Sequence, residues 1–133
     1  MDNGGKKGIL VESAPKPVGP YSQAVESGCF MFVSGQIPID PETGALERDG
    51  FREAARRALE NLKAIVEGAG YSMDDIVKVT VYITDIERFS EFNEIYKEYF
   101  NRPYPARAVV GVAALPLGAP LEVEAVLYTC RKK

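Results

Sequence analysis

The 133-residue chain contains no histidine. This absence excludes Ser-His-Asp and Cys-His catalytic arrangements, His-based zinc sites and the usual general base near neutral pH. Any catalysis must therefore depend on carboxylates, Lys, Tyr, Arg, backbone groups and water. The sequence also lacks a glycine-rich phosphate loop, a CxxC pair and a cluster with metal-ligand spacing.

Cysteine and long apolar runs are also scarce. Cys29 and Cys130 have no metal-site spacing, and two such thiols in a cytosolic chain are expected to be reduced. Cys29 lies in an apolar run and is interpreted as a small core residue. No run approaches the ~20 apolar residues of a membrane helix, and residues 1–7 are polar and Gly-rich, unlike a signal peptide. The sequence therefore predicts a cytoplasmic protein with no membrane contact.

The chain has little excess of basic charge. Its formal net charge is −3 and its pI is about 5.1, whereas a nucleic-acid binder usually carries a basic patch or stripe. The charge balance therefore disfavours nucleic acid as a partner. Hydrophobic residues make up 46% of the chain, so a real core is expected in one domain of ordinary size spanning residues 1–133, with residues 1–7 as a flexible arm.

The pattern of apolar residues predicts several strands and two helices. Helical spacing is clearest in residues 51–69, with Asp49 as a candidate cap and Gly70 as a terminator. A second helix is expected between Thr84 and Phe100, with capping-box spacing at its start. Strands are expected over residues 8–12, 22–25, 29–34, 76–83, 106–112 and 121–128, and proline-rich loops over 14–21 and 37–50.

Residues 29–33 are apolar without alternation, which is typical of a strand buried on both faces. Two helices can cover only one face of the predicted sheet. Leaving Phe30, Met31 or Phe32 in water would forgo about 1.5–3 kcal/mol for each side chain. A second subunit is the simplest cover for the other face, so the sequence predicts a homo-oligomer.

Charged residues inside apolar strands are the main candidates for chemistry, because charges are rarely buried without a partner. Arg107 either forms an ion pair with a strand glutamate or presents a guanidinium fork to a carboxylate ligand. Glu122 and Glu124 point to the same face by the period of two, so spacing cannot choose between them.

Weaker candidates each have a simpler structural interpretation. Tyr21 is either a packed aromatic or a site residue. Ser34 and Gly35 end a buried strand, and Gly35 either starts a loop or lets a ligand approach the backbone. Phe89 is interpreted as core and Asn93 as surface.

Six segments together resemble the Rid/YjgF family of reactive-intermediate deaminases. They run in family order across residues 14–130: Gly19-Pro-Tyr-Ser-Gln, Ser34-Gly-Gln-Ile-Pro, Asp75-Ile-Val-Lys-Val-Thr-Val-Tyr-Ile, Phe92-Asn-Glu-Ile-Tyr, Pro105-Ala-Arg-Ala and Glu122-Val-Glu-Ala. The resemblance implies a chorismate-mutase-like α+β fold with two helices on one face of a mixed sheet. It further implies a homotrimer around a central β-barrel, with clefts between subunits.

The resemblance also implies an activity, the cofactor-independent hydrolysis of 2-imino or enamino acids to 2-keto acids and ammonia. By residue matching, Arg107 binds the substrate carboxylate and Glu124 positions the attacking water. Matching also assigns pocket positions to further residues: Tyr21, Ser34, Gly35, Phe89 and Asn93.

Val109 departs from the family pattern, because many members have cysteine there. If that cysteine were essential the chain would be inactive, so a non-catalytic module that binds a small carboxylate is an alternative. We interpret the position as shaping the pocket, with Val109 favouring a small aliphatic side chain. RNA cleavage, attributed to some relatives, is disfavoured by the acidic charge and the missing histidines.

Overall fold

The computed structural model of the chain describes residues 2–3 and 5–130. Seven strands form one sheet in the order β1-β2-β3-β4-β7-β5-β6, in which β5 and β6 are parallel and the other neighbours antiparallel. The strands are β1 (Asp2–Asn3), β2 (Lys6–Ile9), β3 (Ala24–Ser27), β4 (Phe30–Gln36), β5 (Ile76–Ile83), β6 (Ala106–Gly111) and β7 (Leu121–Tyr128). The helices are α1 (Phe51–Gly68) and α2 (Phe89–Tyr96).

Both helices pack on one face of the sheet and bury the core there. The helical spacing predicted for α1 places Leu59, Leu62 and Ile65 in that core, where they are fully buried. Phe92 and Ile95 of α2 join the same cluster. The mixed α+β sheet with two helices on one face is therefore confirmed. No helix within residues 2–3 and 5–130 is long and apolar enough to cross a membrane.

The ends of α1 confirm one prediction and correct another. Gly70, with φ 95°, ends the helix: its N–H donates to the Glu67 carbonyl, and the Tyr71 N–H donates to the Val66 carbonyl. The cap predicted at Asp49 is wrong. Gly50 occupies the N-cap position with φ 122°, and no side chain there accepts a hydrogen bond from the first turn.

The second helix is shorter than the predicted span from Thr84 to Phe100. A separate 3₁₀ turn, Ile86–Arg88, precedes α2, and its cap is Asp85, whose carboxylate accepts from the Glu87 N–H at 3.1 Å. The capping box predicted at Thr84 is wrong because the Thr84 N–H and hydroxyl both donate to the Pro120 carbonyl instead. Thr84 therefore connects the end of β5 to the start of β7.

Two expectations for the chain ends and for the cysteines are corrected. The arm predicted for residues 1–7 contains β1 and part of β2, because β2 pairs with β3 (Met1 and Gly4 lie outside the described residues). Cys29 is a half-buried turn residue rather than core, and it is bonded to Cys130 in a disulfide with a Cα–Cα distance of 5.0 Å. Thr129 donates a backbone hydrogen bond to the Cys29 carbonyl at 2.8 Å, which brings these two distant positions together.

The face of the sheet opposite the helices is open within the chain. Met31 and Val33 of β4 are buried, but Phe30 and Phe32 are 42% and 48% exposed. Tyr128 joins them, with its ring 5.6 Å from that of Phe30. Burial of β4 on both faces is thus not achieved by the single chain. In β5 a register shift near Val77 leaves that residue 44% exposed, whereas Ile76 beside it is buried.

Candidate functional site

Arg107 lies on the edge strand β6 and points to the helix-covered face of the sheet. Its register partner on β5 is Val79, which is fully buried under the helices. The guanidinium carbon lies 4.7 Å from the ring centroid of Tyr96 and 5.5 Å from that of Phe89. Such contacts hold the planar guanidinium against the aromatic faces. The two rings therefore fix the direction of the Arg107 side chain.

Within residues 5–130 the Arg107 guanidinium has no carboxylate partner. The ion pair with Glu122 or Glu124 is excluded by register, because those residues pair with Tyr82 and Thr80 and so point to the opposite face. Instead Arg107 borders a cavity of about 380 Å³. The other lining residues are Asn93, Tyr96, Lys97, Tyr104 and Pro105. Two cations, Lys97 and the forked guanidinium of Arg107, suit this cavity to a carboxylate.

Two polar atoms beside this cavity are buried and unpartnered within the described part of the chain. They are the Oδ1 atom of Asn93 and the hydroxyl of Tyr96. Burial raises the pKa of Tyr96 to about 12, against the lowering effect of Arg107, so the phenol stays neutral near pH 7. Buried polar groups without partners cost about 1–3 kcal/mol each and are uncommon in native proteins. Their coincidence beside an arginine without a carboxylate partner makes this region a candidate site.

Tyr96 is not among the site residues predicted from the sequence. A signal was present, since a buried tyrosine brings a hydroxyl that requires a partner. Phe89 was expected in the core but is 38% exposed and supports the guanidinium. Val109 faces the same side as Arg107, yet it packs against the core and does not line the cavity.

A second cluster lies at the far end of β4. Tyr21, Gly35 and Glu122 border a cavity of about 260 Å³. A Cβ atom at Gly35 would come within 2.6 Å of the Glu122 carboxyl group, so only glycine leaves room for that carboxylate. Gly35 therefore serves the approach of a neighbouring side chain. Ser34, beside it, donates its hydroxyl to the Ser22 carbonyl at 2.6 Å and does not line the cavity.

The structure distinguishes the two strand glutamates. Glu122 faces the cavity, and its pKa is raised, chiefly by burial and then by the negative charge of Glu124. Glu124 accepts a hydrogen bond from the Tyr82 hydroxyl at 3.2 Å and does not border the cavity. The Tyr82 pKa is raised, first by burial and then by Glu124. Glu122 is therefore the carboxylate placed to meet a ligand or a water.

The two clusters do not meet within one chain. Arg107 points to the helix-covered face of the sheet, whereas Glu122 lies on the open face. Each cluster borders its own cavity. Among the described residues, no group of three or more His, Cys, Asp or Glu side chains could hold a metal ion. The chain therefore presents two separate clusters: one contains the Arg107 guanidinium, and the other contains the Glu122 carboxylate.

Known proteins are similar to this chain over most of its length. The family model described as Endoribonuclease L-PSP matches residues 11–129. A RutC family protein of Pyrococcus horikoshii is 50% identical over 92% of this chain and 98% of its own length. A crystal structure from Aeropyrum pernix is 91% identical, with a TM-score of 0.85, and the match covers 87% of this chain and all of that one.

The Escherichia coli protein TdcF, named as a candidate reactive intermediate deaminase, is 48% identical over 91% of this chain and 95% of its own. A TdcF crystal structure with bound serine has a TM-score of 0.87, and the match covers 95% of this chain and 99% of that chain. Because the family model covers five of the seven strands and both helices, the chain belongs to the Rid/YjgF family, the family whose model is described as Endoribonuclease L-PSP.

Proposed function

We propose that the protein hydrolyses 2-imino acids, or their enamine tautomers, to 2-keto acids and ammonia without a cofactor. The observation that carries this proposal is the unpaired Arg107 guanidinium at a cavity, with Lys97 nearby. A fixed, charged fork is suited to a planar carboxylate. The name of TdcF as a candidate reactive intermediate deaminase, together with its serine-bound structure, agrees with a small substrate that carries a carboxylate.

We propose further that the complete site forms between copies of the chain in a homotrimer. The support is that Arg107 and Glu122 lie on opposite faces of one sheet, so they cannot meet within one chain. In an oligomer, Arg107 of one copy can lie beside Glu122 of a neighbouring copy. The open face carries Phe30, Phe32 and Tyr128, whose exposed rings would be covered by that neighbour. Large exposed apolar surfaces mark interaction sites. Each site would then use Arg107 of one copy and Glu122 of the next.

In the proposed mechanism Arg107 holds the carboxylate and so positions the imine carbon. The Glu122 carboxylate takes a proton from water as the water oxygen bonds to that carbon and the C=N electron pair moves to nitrogen. The nitrogen then takes this proton from Glu122, which gives the carbinolamine and restores the carboxylate. In the collapse, Glu122 transfers the hydroxyl proton to the amino nitrogen, the C–O bond becomes C=O, and the C–N bond breaks to release ammonia. Positioning and one general base supply the rate enhancement.

The sequence prediction gave the water-positioning role to Glu124, and the geometry favours Glu122. Burial and the neighbouring negative charge raise the pKa of Glu122, which makes its carboxylate a better proton acceptor. Glu124 already accepts a hydrogen bond from Tyr82. The pair Glu122→Gln and Glu124→Gln is a matched test, because the two residues share a strand and a face.

The experiment generates imines from several amino acids with an amino-acid oxidase and measures keto-acid release with and without the protein. Arg107→Ala should return hydrolysis to the background rate, and Arg107→Lys should retain only part of the activity because the fork is lost. Glu122→Gln should slow turnover by about 10²–10⁴-fold, and Glu124→Gln should have a much smaller effect. Full activity in Arg107→Ala would refute the carboxylate clamp.

A non-catalytic module that binds a small carboxylate is the second candidate, favoured by the serine-bound structure of TdcF. It predicts that keto-acid release with wild-type protein equals the uncatalysed rate, while serine binds and Arg107→Ala abolishes that binding. RNA cleavage, suggested by the description of the family model, is disfavoured by the net charge of −3 and the missing histidines. A salt-sensitive shift of RNA by the purified protein would restore it.

A further inference from the structure

Leu117 adopts a backbone conformation that leucine rarely takes. Its φ and ψ are 59° and 16°, and it is the sole non-glycine residue with positive φ among those the structure describes. The turn around it is closed by the Gly118 N–H on the Leu115 carbonyl and the Ala119 N–H on the Pro116 carbonyl. In turns that begin with proline, a positive φ at the next position is usually given to Gly or Asn. A leucine there costs free energy that the surrounding turn must offset.

The strained turn directs an apolar side chain to the Glu122 cavity. Leu117 borders this cavity and is 65% exposed, and Val18, across the same lining, is 97% exposed. The apolar lining continues through Pro15, Ile37, Ile39 and Pro116. The charged lining residues are Glu122 and Lys16, and Lys16 is paired with Glu12 at 2.7 Å. The lining around the Glu122 carboxylate is therefore mainly apolar, with Tyr21, Gln23 and Gln36 as its uncharged polar members.

We infer that Leu117 determines substrate specificity by forming, with Val18, an apolar wall for the side chain of the imino acid. This inference rests on the proposed function and names its substrate class: 2-imino acids with aliphatic side chains of several carbons, in preference to hydroxylated or charged ones. The positive φ of Leu117 places this wall in the same cavity as the Glu122 carboxylate.

The test measures kcat/KM for imines made from alanine, 2-aminobutyrate, norvaline and norleucine, which differ by one methylene at each step. Wild-type protein should show kcat/KM rising along the series. Leu117→Asn keeps a residue that tolerates positive φ but removes the apolar wall. It should lower kcat/KM for the norvaline imine by about tenfold while leaving the alanine imine nearly unchanged, because each methylene in an apolar pocket is worth about 10–200-fold.

Leu10→Asn is the matched control, since Leu10 is 63% exposed and does not border this cavity. It should leave the dependence on chain length unchanged. A wild-type protein that hydrolyses no imine would refute the proposed function itself. A wild-type protein that hydrolyses imines, combined with an unchanged chain-length dependence in Leu117→Asn, would overturn the role of Leu117 alone. A changed molar mass of Leu117→Asn in light scattering would also overturn it, because Leu117 would then act in assembly.

Discussion

Removal of the Cys29–Cys130 disulfide should destabilise the protein strongly without changing its chemistry. The bond joins residues separated by 101 positions, so it closes a loop that includes four of the seven strands and both helices. In the chain-entropy treatment, a cross-link that closes a loop of this length restricts the unfolded chain by about 4.7 kcal/mol. For a chain of this size that corresponds to a fall of roughly 15–20 °C in the unfolding midpoint.

The measurement is thermal unfolding of wild type and of the double variant Cys29→Ser/Cys130→Ser, which leaves no free thiol. Protein concentration must be equal, because self-association would make the midpoint depend on concentration. Reductant should lower the wild-type midpoint toward that of the variant and leave the variant unchanged. Imine hydrolysis at 25 °C should be the same in both proteins, because Cys29 lies at the opposite end of β4 from Gly35.

Two results would contradict a stabilising disulfide. One result is that mass spectrometry finds the two cysteines reduced in the native wild-type protein and that the variant has the same unfolding midpoint as wild type. The cross-link would then contribute nothing to stability. A midpoint that falls equally in the variant when reductant is added would show that reductant acts elsewhere.

Three further predictions concern the site and the core. Gly35→Ala should lower kcat/KM by about 10²-fold, because its Cβ would lie 2.6 Å from the Glu122 carboxyl group and displace it; kinetics like those of wild type would show that Glu122 need not occupy this position. Gly68→Ala should destabilise the protein by about 1–2 kcal/mol in urea unfolding, because its Cβ would meet the Val11 side chain at 2.6 Å and this overpacking outweighs the better helix propensity of alanine; in a Val11→Ala background the same change should cost much less, and an equal cost in both backgrounds would place the cause elsewhere. Burial and the charge of Glu124 raise the pKa of Glu122 above that of an ordinary glutamate. As the pH falls through this raised pKa the carboxylate becomes protonated, so kcat/KM should fall. Glu124→Gln should move that decline to lower pH, and an unmoved profile would contradict the coupling between the two carboxylates.

Periodicity in the sequence predicted the parts of the fold that local spacing determines. The helical spacing of α1, its end at Gly70 and the span of β5 all agree with the structure. Arg107 stood out because a charge inside an apolar strand requires an explanation, and the structure places it at a cavity. These features depend on residues near one another in the chain.

Other features depend on which strands become neighbours, and spacing carries no information about that. Glu122 and Glu124 share a face by the period of two, so only the packing of Gly35 and Tyr82 against them gives them different surroundings. The cap at Thr84 failed because its donors reach Pro120, which lies on another element. The registers of β6 and β7 on β5, set by pairing between distant segments, decided that Arg107 and Glu122 lie on opposite faces.

The amino-acid sequence by itself determined that this chain folds as an α+β domain with a strand-borne arginine suited to a carboxylate, and that it has no histidine to catalyse with. Only the tertiary structure decided that the thiols of Cys29 and Cys130 are joined and that Glu122, not Glu124, faces a cavity. The physical reason is that side-chain alternation reports which residues share a face, whereas the neighbours on that face depend on strand order and register.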